Sequence, residues 1–203
     1  MPKRLEGIIL AAGESRRMGY PKPLLQIGGQ TFIERIAESM LAVVPRLVIV
    51  LGAHCDRVRA AIPRDARIAI VENPNYACGQ LSSLKVGLGA LQPDSAGALV
   101  HLGDHPVVRL ETFRAIVEFY YQTGKPIVVA RHDGHRGHPV VFDRALFSEL
   151  QSAPEEEGAR HVVNADLSRV AYIDLDDPGI NLDLDTPSDL ERAGLPPPSW
   201  SKT

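Results

Sequence analysis

The chain has 203 residues, of which 44% are hydrophobic and 23% charged, and its formal net charge is -3. That length suits one sizeable core, and the charge balance gives no electrostatic case for nucleic-acid binding. The sequence has no apolar run near the ~20 residues of a membrane span, and its two cysteines lack metal-site spacing, so we expect a cytoplasmic protein that binds neither nucleic acid nor membranes.

Short, continuous apolar runs in the first part of the chain are typical of buried parallel strands. These runs span residues 7–12, 47–51, 68–71, 98–102 and 127–130. Apolar stripes at helical spacing lie between them, within residues 33–43, 81–91 and 113–120. The first helix begins with a capping box formed by Thr31 and Glu34. Strands that alternate with helices predict a parallel α/β sheet covered on both faces.

The pattern changes after residue 130. A turn-rich stretch, RHDGHRGHP, precedes an apolar run at residues 140–142, which predicts a strand at or near the sheet edge. A helix from about Arg144 comes next, and a loop with the sequence APEEEGAR follows it. The density of charged residues in that loop indicates that it is solvated.

The last part of the chain has strand-like runs around Tyr172 and Leu184. Thr186, which precedes a proline, opens a closing helix with that proline at its first position. We find no internal repeat and no linker between domains. We therefore predict one domain over residues 1–195 and a frayed tail over residues 196–203.

A cationic loop follows the first predicted strand, at the strand end where ligands bind in open α/β sheets. Small residues up to Gly13 let backbone N–H groups approach anionic oxygens, and Arg17 and Lys22 add charged hydrogen bonds. The spacing matches neither a Walker loop nor the dinucleotide fingerprint. The loop therefore predicts a polyphosphate site, and a merely solvated surface loop is the alternative.

Carboxylates follow two later strands. Asp104 comes just after the apolar run at residues 98–102, so we expect its carboxylate to point toward the predicted polyphosphate site. Mg²⁺ takes oxygen ligands and bridges carboxylate and phosphate groups, so a carboxylate at this place suits a magnesium ion. A helix cap is the alternative role for Asp104. Asp183 and Asp185 alternate along a predicted strand and so face one side. Two carboxylates on one face are costly unless they are solvated or bind a metal. For Asp185, the alternative to a metal-ligand role is a hydrogen bond to the turn at Thr186.

Three histidines lie in the turn-rich stretch: His132, His135 and His138. Glycines and a proline break any helix there, so the three side chains cannot share a helix face. Solvent exposure in a turn is therefore favoured over a zinc site.

Residues 10–22, LAAGESRRMGYPK, resemble the LAAGxSxRMGxxK signature of the MobA-like nucleotidyltransferases, in particular the molybdenum cofactor cytidylyltransferases. Four later segments are similar to further motifs of the family: GQLSSLKVGL, LGDHP, GHPVVF and LDLDTPSDL. Together the motifs cover nearly the whole chain in the expected order.

The resemblance implies a single-domain, Rossmann-like, mostly parallel sheet flanked by helices on both faces, as in nucleotide-diphospho-sugar transferases. It also implies an Mg²⁺-dependent nucleotidyltransferase. Such an enzyme moves a nucleoside monophosphate from an NTP to the phosphate of molybdopterin or molybdenum cofactor and releases pyrophosphate. Ala12, where guanylyl-transferring relatives usually have glycine, favours CTP. The implied partners are the NTP, a molybdopterin-type acceptor and a molybdoenzyme of the hydroxylase type.

The resemblance also assigns roles to single residues. The implied nucleotide-binding residues are Leu10, Ala11, Ala12, Gly13, Arg17, Lys22, Gln80, Ser82 and Ser83. The implied catalytic residues are Lys22, Arg17 and Asp104. The implied metal ligands are Asp104, Asp183 and Asp185, and the implied acceptor contacts are His138 and His105. For Ser82, capping or packing of the helix stays the alternative, and His105 stands where relatives more often carry Met or Gln.

Two other functions stay open. A nucleotidyltransferase for another phosphorylated acceptor, such as a sugar phosphate, would use the same loop. A non-catalytic carrier would bind the finished molybdenum cofactor and deliver it to a molybdoenzyme. Such a carrier has no need for a catalytic metal ligand at Asp104.

Overall fold

The strands and helices predicted from the apolar runs before residue 131 form in the structure, a computed structural model that describes residues 4–195. The tail predicted for residues 196–203 lies outside the described residues. The strands of the described part are β1 (Leu5–Ala11), β2 (Gln26–Ile27), β3 (Gln30–Thr31), β4 (Leu47–Leu51), β5 (Ile68–Glu72), β6 (Gly97–Leu102), β7 (Ile127–His132), β8 (His135–Asp143) and β9 (Val170–Asp174). Its helices are α1 (Phe32–Leu41), α2 (Cys55–Ala61), α3 (Gln80–Gly89), α4 (Leu110–Thr123), α5 (Phe147–Ser152), α6 (Arg160–Ala165) and α7 (Pro187–Arg192). None of the helices between residues 4 and 195 has the length and apolar character that a membrane crossing requires.

Seven of the strands form one sheet in the order β5-β4-β1-β6-β8-β7-β9. β8 runs antiparallel to both of its neighbours, and every other pair in this sheet is parallel. The predicted class, a mostly parallel α/β sheet, is therefore confirmed. β2 and β3 pair separately as a short antiparallel ribbon.

The apolar run at residues 140–142 lies in β8. We predicted a strand at or near the sheet edge, and β8 is not an edge strand. β8 lies between β6 and β7 in the interior of the sheet. Val140 and Phe142 are buried on one face of the sheet, and Val141 is buried on the other. A strand that is buried on both faces suits an interior position, and β9 occupies the edge instead.

Helices cover both faces of the sheet, as predicted. α1, α2 and α4 pack on one face, where Ile33 and Phe113 are among the buried residues. α3, α5 and α6 pack on the other, where Leu84 and Leu150 are buried. α1 begins with the predicted capping box, in which Thr31 is the N-cap.

The strand predicted around Leu184 does not form, and residues 181–185 are neither helix nor strand. Leu184 is instead buried in one cluster with Met18 and Phe32. Thr186 caps α7 as predicted, with a proline in the first turn. The irregular segment therefore lies against the part of the chain that follows β1 and brings its carboxylates there.

Candidate active site

A cleft of about 380 Å³ lies at the carboxyl ends of β1 and β6. Its walls come from the loop after β1, the start of α3, the turn after β6 and the irregular segment before α7. The predicted nucleotide-binding residues among its lining are Leu10, Ala11, Ala12, Gly13, Arg17, Lys22, Gln80 and Ser83. Asp104 and Asp185 also line the cleft. The structure thus brings most of the predicted site residues together.

Close packing and a hydrogen bond to the side chain of Ser15 help to shape the loop after β1. A Cβ at Gly103 would lie only 2.9 Å from the Cβ of Ala11, so glycine lets the turn after β6 approach the end of β1. Ser15 closes the loop, because its Oγ accepts a 3.0 Å hydrogen bond from the backbone N–H of Lys22. We did not predict this role of Ser15, although its place in the signature motif was a signal for it.

Lys22 is the centre of the charged groups in the cleft. Its side chain is 11% exposed, and Nζ lies 2.7 Å from Oδ2 of Asp104 and forms a second ion pair with Asp185. Arg17 adds a further pair, with Nη2 2.5 Å from Oδ2 of Asp185. Two carboxylates that are far apart in the sequence thus converge on one ammonium group.

These contacts set the charge states of Lys22 and Asp104. Burial lowers the pKa of Lys22, but the neighbouring carboxylates outweigh burial and raise the pKa above its ordinary value. Burial likewise raises the pKa of Asp104, but the Lys22 charge and the nearby His105 outweigh it, so the pKa lies below its ordinary value. Lys22 is therefore an ammonium and Asp104 a carboxylate at neutral pH.

The converging carboxylates suit a hard divalent cation. Among residues 4–195, no group of three or more His, Cys, Asp or Glu side chains is arranged to hold a metal ion. Mg²⁺ needs no such group, because one or two carboxylates suffice when phosphate oxygens complete its shell. Asp104 and Asp185 already share a cationic partner, so their oxygens fit this role.

Asp183 has a different environment from Asp185. Its side chain is 78% exposed, and its Oδ1 lies 3.4 Å from Nε2 of His105. The prediction that Asp183 and Asp185 face one side rested on a strand, and that strand does not form. The metal-ligand roles stay predictions, and the geometry favours Asp185 over Asp183 as the partner of Asp104.

Ser82 and Ser83 also differ. Asn73 Nδ2 donates to both hydroxyl oxygens, at 2.8 Å and 3.0 Å. Ser82 Oγ–H donates in turn to the carbonyl of Gly79 at 2.7 Å, just before α3. Ser83 lines the cleft and Ser82 does not. The contacts of Ser82 therefore support the packing alternative, whereas α3 begins after Gly79 without a side-chain cap.

A second cavity, of about 690 Å³, adjoins the cleft and shares Leu10 and Gln80 with it. Its apolar lining includes Leu81, Leu84, Val100, Val129, Val140 and Phe142. Its charged lining residues are Arg136, Glu155, Glu156 and Arg160. The loop predicted only to be solvated therefore also forms one wall of this cavity.

The two predicted acceptor contacts lie in a group of three histidine rings. His138 lines the second cavity, whereas His105 is buried and lines neither cavity. The rings of His101, His105 and His138 contact one another edge to face, with centroids 6.0, 6.1 and 6.4 Å apart. Burial, with a smaller effect of His105, lowers the pKa of His138 to about 3. His101 was not predicted, because a single histidine in an apolar run carries no sequence signal.

The remaining histidines of the turn-rich stretch lie near the β7–β8 turn. His135 is exposed, as predicted. His132 is partly buried, with Nδ1 3.0 Å from the carbonyl oxygen of Leu175. The predicted solvent exposure of the whole trio therefore holds only for His135, because His132 and His138 are partly buried.

Residues 7–170 match the family model of the MobA-like NTP transferase domain. The chain is 28% identical over 190 residues to molybdenum cofactor cytidylyltransferase of Escherichia coli K12, covering 93% of this chain and 95% of that protein. It is 32% identical over 199 residues to nicotine blue oxidoreductase of Paenarthrobacter nicotinovorans, covering 92% and 94%. Among solved structures, Rv0371c of Mycobacterium tuberculosis H37Rv superposes with a TM-score of 0.81 at 31% identity, covering 95% of this chain and 97% of that one. A complex of Rv0371c with manganese has a TM-score of 0.77 at 28% identity, covering 95% and 98%.

Proposed function

Because the chain belongs to the family of MobA-like NTP transferase domains, we propose that it is an Mg²⁺-dependent nucleotidyltransferase acting on a molybdopterin-type acceptor. It transfers CMP from CTP to the terminal phosphate of the acceptor and releases pyrophosphate, and the product serves a molybdoenzyme of the hydroxylase type. The observation that carries the proposal is the pairing of Lys22 with Asp104 and Asp185 in the cleft. A cation and two carboxylates at one point suit a triphosphate and its metal ion.

The chemical step needs position and charge neutralisation. An oxygen of the acceptor phosphate forms a bond to the α-phosphorus, and the bond from that phosphorus to the bridging oxygen breaks. The electron pair leaves with pyrophosphate. A phosphate nucleophile is already ionised at neutral pH, so no general base is required. Lys22 and Arg17 bind the departing pyrophosphate and stabilise its charge.

Asp104 and Asp185 hold the metal ion in this proposal, and Asp183 is the further candidate. These carboxylates would hold Mg²⁺, which would supply positive charge that neutralises the phosphates. The manganese complex of Rv0371c supports a divalent cation in this fold. Lys22, which pairs with both carboxylates, would then be available to bind phosphate oxygens of the triphosphate.

CTP is the proposed donor. Ala12 lines the cleft, and an alanine at this place favoured the cytidylyl branch in the sequence motif. The similarity to a molybdenum cofactor cytidylyltransferase supports the same choice. Gln80 and Ser83 line the cleft at the start of α3, where they would contact the base and ribose.

The second cavity is the proposed acceptor site. It shares Leu10 and Gln80 with the cleft, so a ligand there would lie next to the triphosphate. Its apolar lining suits a ring system, and Arg136 and Arg160 suit anionic groups. His138 also lines this cavity, which supports its predicted role as an acceptor contact.

The test incubates the protein with Mg²⁺, molybdopterin and each NTP in turn, and measures pyrophosphate release and the mass of the product. We expect the cytosine dinucleotide of molybdopterin from CTP. A preference for GTP would overturn the choice of base but not the reaction. Turnover only with a sugar phosphate would favour another acceptor, and tight binding of the finished cofactor without pyrophosphate release would favour a carrier.

A further inference from the structure

His101 is the last residue but one of β6, and Asp104 lies in the turn that follows this strand. Its side chain is fully buried, and Nε2 lies 3.0 Å from the carbonyl oxygen of His105, the residue after Asp104. A carbonyl oxygen only accepts hydrogen bonds, so Nε2 must carry the proton. Burial lowers the pKa of His101 well below its usual value, so the ring is neutral and Nδ1 keeps a lone pair.

Packing holds the His101 ring in this orientation. The ring of Phe113, on α4, lies edge-on with its centroid 4.9 Å away. The Nδ1 atom of His101 is buried and has no hydrogen-bond partner among the described residues. The bond to the His105 carbonyl is therefore the one polar contact within residues 4–195 that explains an imidazole at this place in an apolar strand.

A second side chain holds the same turn from α1. Arg35 Nε–H donates to the carbonyl oxygen of Pro106 at 3.0 Å. The two carbonyl groups that follow Asp104 are thus each bound by a side chain, one from β6 and one from α1. A turn that is bound from two elements keeps its backbone in one place. It therefore fixes the direction of the Asp104 side chain, which lines the cleft.

We propose that His101 is a positioning residue, which holds the Asp104 carboxylate where it meets a metal ion and the triphosphate. This inference rests on the proposed function, because its effect passes through the metal ligand Asp104. The carboxylate already has a defined place, 2.7 Å from Lys22 Nζ. Without the Nε2–H donor, the His105 carbonyl loses its partner and the turn is free to shift that carboxylate.

The test compares two substitutions of similar shape. His101→Gln places an amide N–H near the position of Nε2, whereas His101→Met fills a similar volume without a donor. Mn²⁺ binding in the presence of CTP is followed by electron paramagnetic resonance, and the melting temperature of each variant is measured. Loss of an outer hydrogen-bond partner should raise the half-saturating Mn²⁺ concentration of His101→Met by at least about tenfold, with His101→Gln within about threefold of wild type.

Four results would overturn the inference. His101→Met could bind Mn²⁺ like wild type, or both variants could lose equal affinity, which would indicate a packing role alone. If His101→Met does not fold, the ¹⁵N spectrum of histidine-labelled wild type decides instead: the Nε2–H tautomer supports the inference, and the Nδ1–H tautomer overturns it. A wild type that binds no Mn²⁺ with either CTP or GTP would overturn the proposed function first, and the inference with it.

Discussion

Lys22 Nζ and Asp104 Oδ2 lie 2.7 Å apart, although 82 positions separate the two residues in the sequence. The lysine is buried and also pairs with Asp185, so one ammonium group neutralises two carboxylates. A bound triphosphate would compete for this ammonium group, and a bound metal ion would compete for the carboxylates. Nucleotide and metal ion should therefore favour each other's binding.

The first prediction concerns Lys22→Gln. The variant should lose at least about tenfold in kcat/KM, because one charged hydrogen bond is worth roughly 1.5–3 kcal/mol. It should also be less stable, since Asp104 and Asp185 lose their shared counterion, and Mg²⁺ should restore part of that stability. Thermal melts with and without Mg²⁺ measure this. The expected result is a larger Mg²⁺-dependent rise in melting temperature than in wild type.

The control for this charge loss is Arg64→Gln, because Arg64 is exposed and is not part of the cleft lining. Its melting temperature should respond to Mg²⁺ as wild type does. The prediction fails if Lys22→Gln and wild type show the same response, because the lysine and the metal ion would then not share partners.

The second prediction separates the three aspartates. Asp104→Asn and Asp185→Asn should be nearly inactive, because both carboxylates converge on the point where we place the metal ion. Their losses should not add in the double variant, since both act through one ion. Asp183→Asn should be milder, because its side chain is 78% exposed and lies beside His105. Turnover as a function of Mg²⁺ concentration is the measurement, and a severe, Mg²⁺-dependent loss in Asp183→Asn would reverse the order.

The fold could be predicted where the pattern depends on residues within one element. Thr31 and Glu34 are three positions apart, and their capping box forms as predicted. The continuous apolar run of β4 became a buried strand with the predicted bounds, Leu47–Leu51. In each case the interactions that produce the structure lie within a few residues, so the local sequence is sufficient.

The errors depend on contacts between distant segments. Leu182 and Leu184 are separated by one position, as in a strand, yet Leu184 packs with Met18 and no strand within residues 4–195 pairs with this segment. The apolar run of β8 predicted a strand but could not show which strands flank it. The pairing of Asp185 with Lys22 depends on the irregular path before α7, which no local pattern encodes.

The third prediction separates Ser82 from Ser83. Ser82→Ala should lower the free energy of unfolding by about 1 kcal/mol or somewhat more, because it breaks buried hydrogen bonds at the start of α3. Its KM for CTP should stay near the wild-type value. Ser83→Ala should raise the KM for CTP, because Ser83 lines the cleft. Urea unfolding and steady-state kinetics of both variants provide the comparison, and a raised KM in Ser82→Ala alone would contradict it.

The fourth prediction concerns His138 and pH. His138 lies in β8 beside the rings of His101 and His105. Burial is the main cause that lowers its pKa to about 3, His105 acts in the same direction, and the charge of Asp104 acts in the opposite one. His101 is shifted in the same direction by burial. Both rings are therefore neutral in the folded protein at neutral pH.

An unfolded histidine titrates near pH 6.5, so the unfolded chain binds a proton at position 138 between about pH 6.5 and pH 3 while the folded chain does not. Stability should therefore rise with pH in this interval and fall on acidification, by up to about 1.4 kcal/mol per pH unit for each such histidine. Urea unfolding at several pH values between about 7 and 4 measures the slope. His138→Gln removes one titrating group and should reduce the slope by up to that amount, whereas His135→Gln, at an exposed position of the same strand, should leave it unchanged. If His138→Gln keeps the wild-type slope, His138 accepts its proton in the folded state, and the second cavity would then present a cationic imidazole to the acceptor.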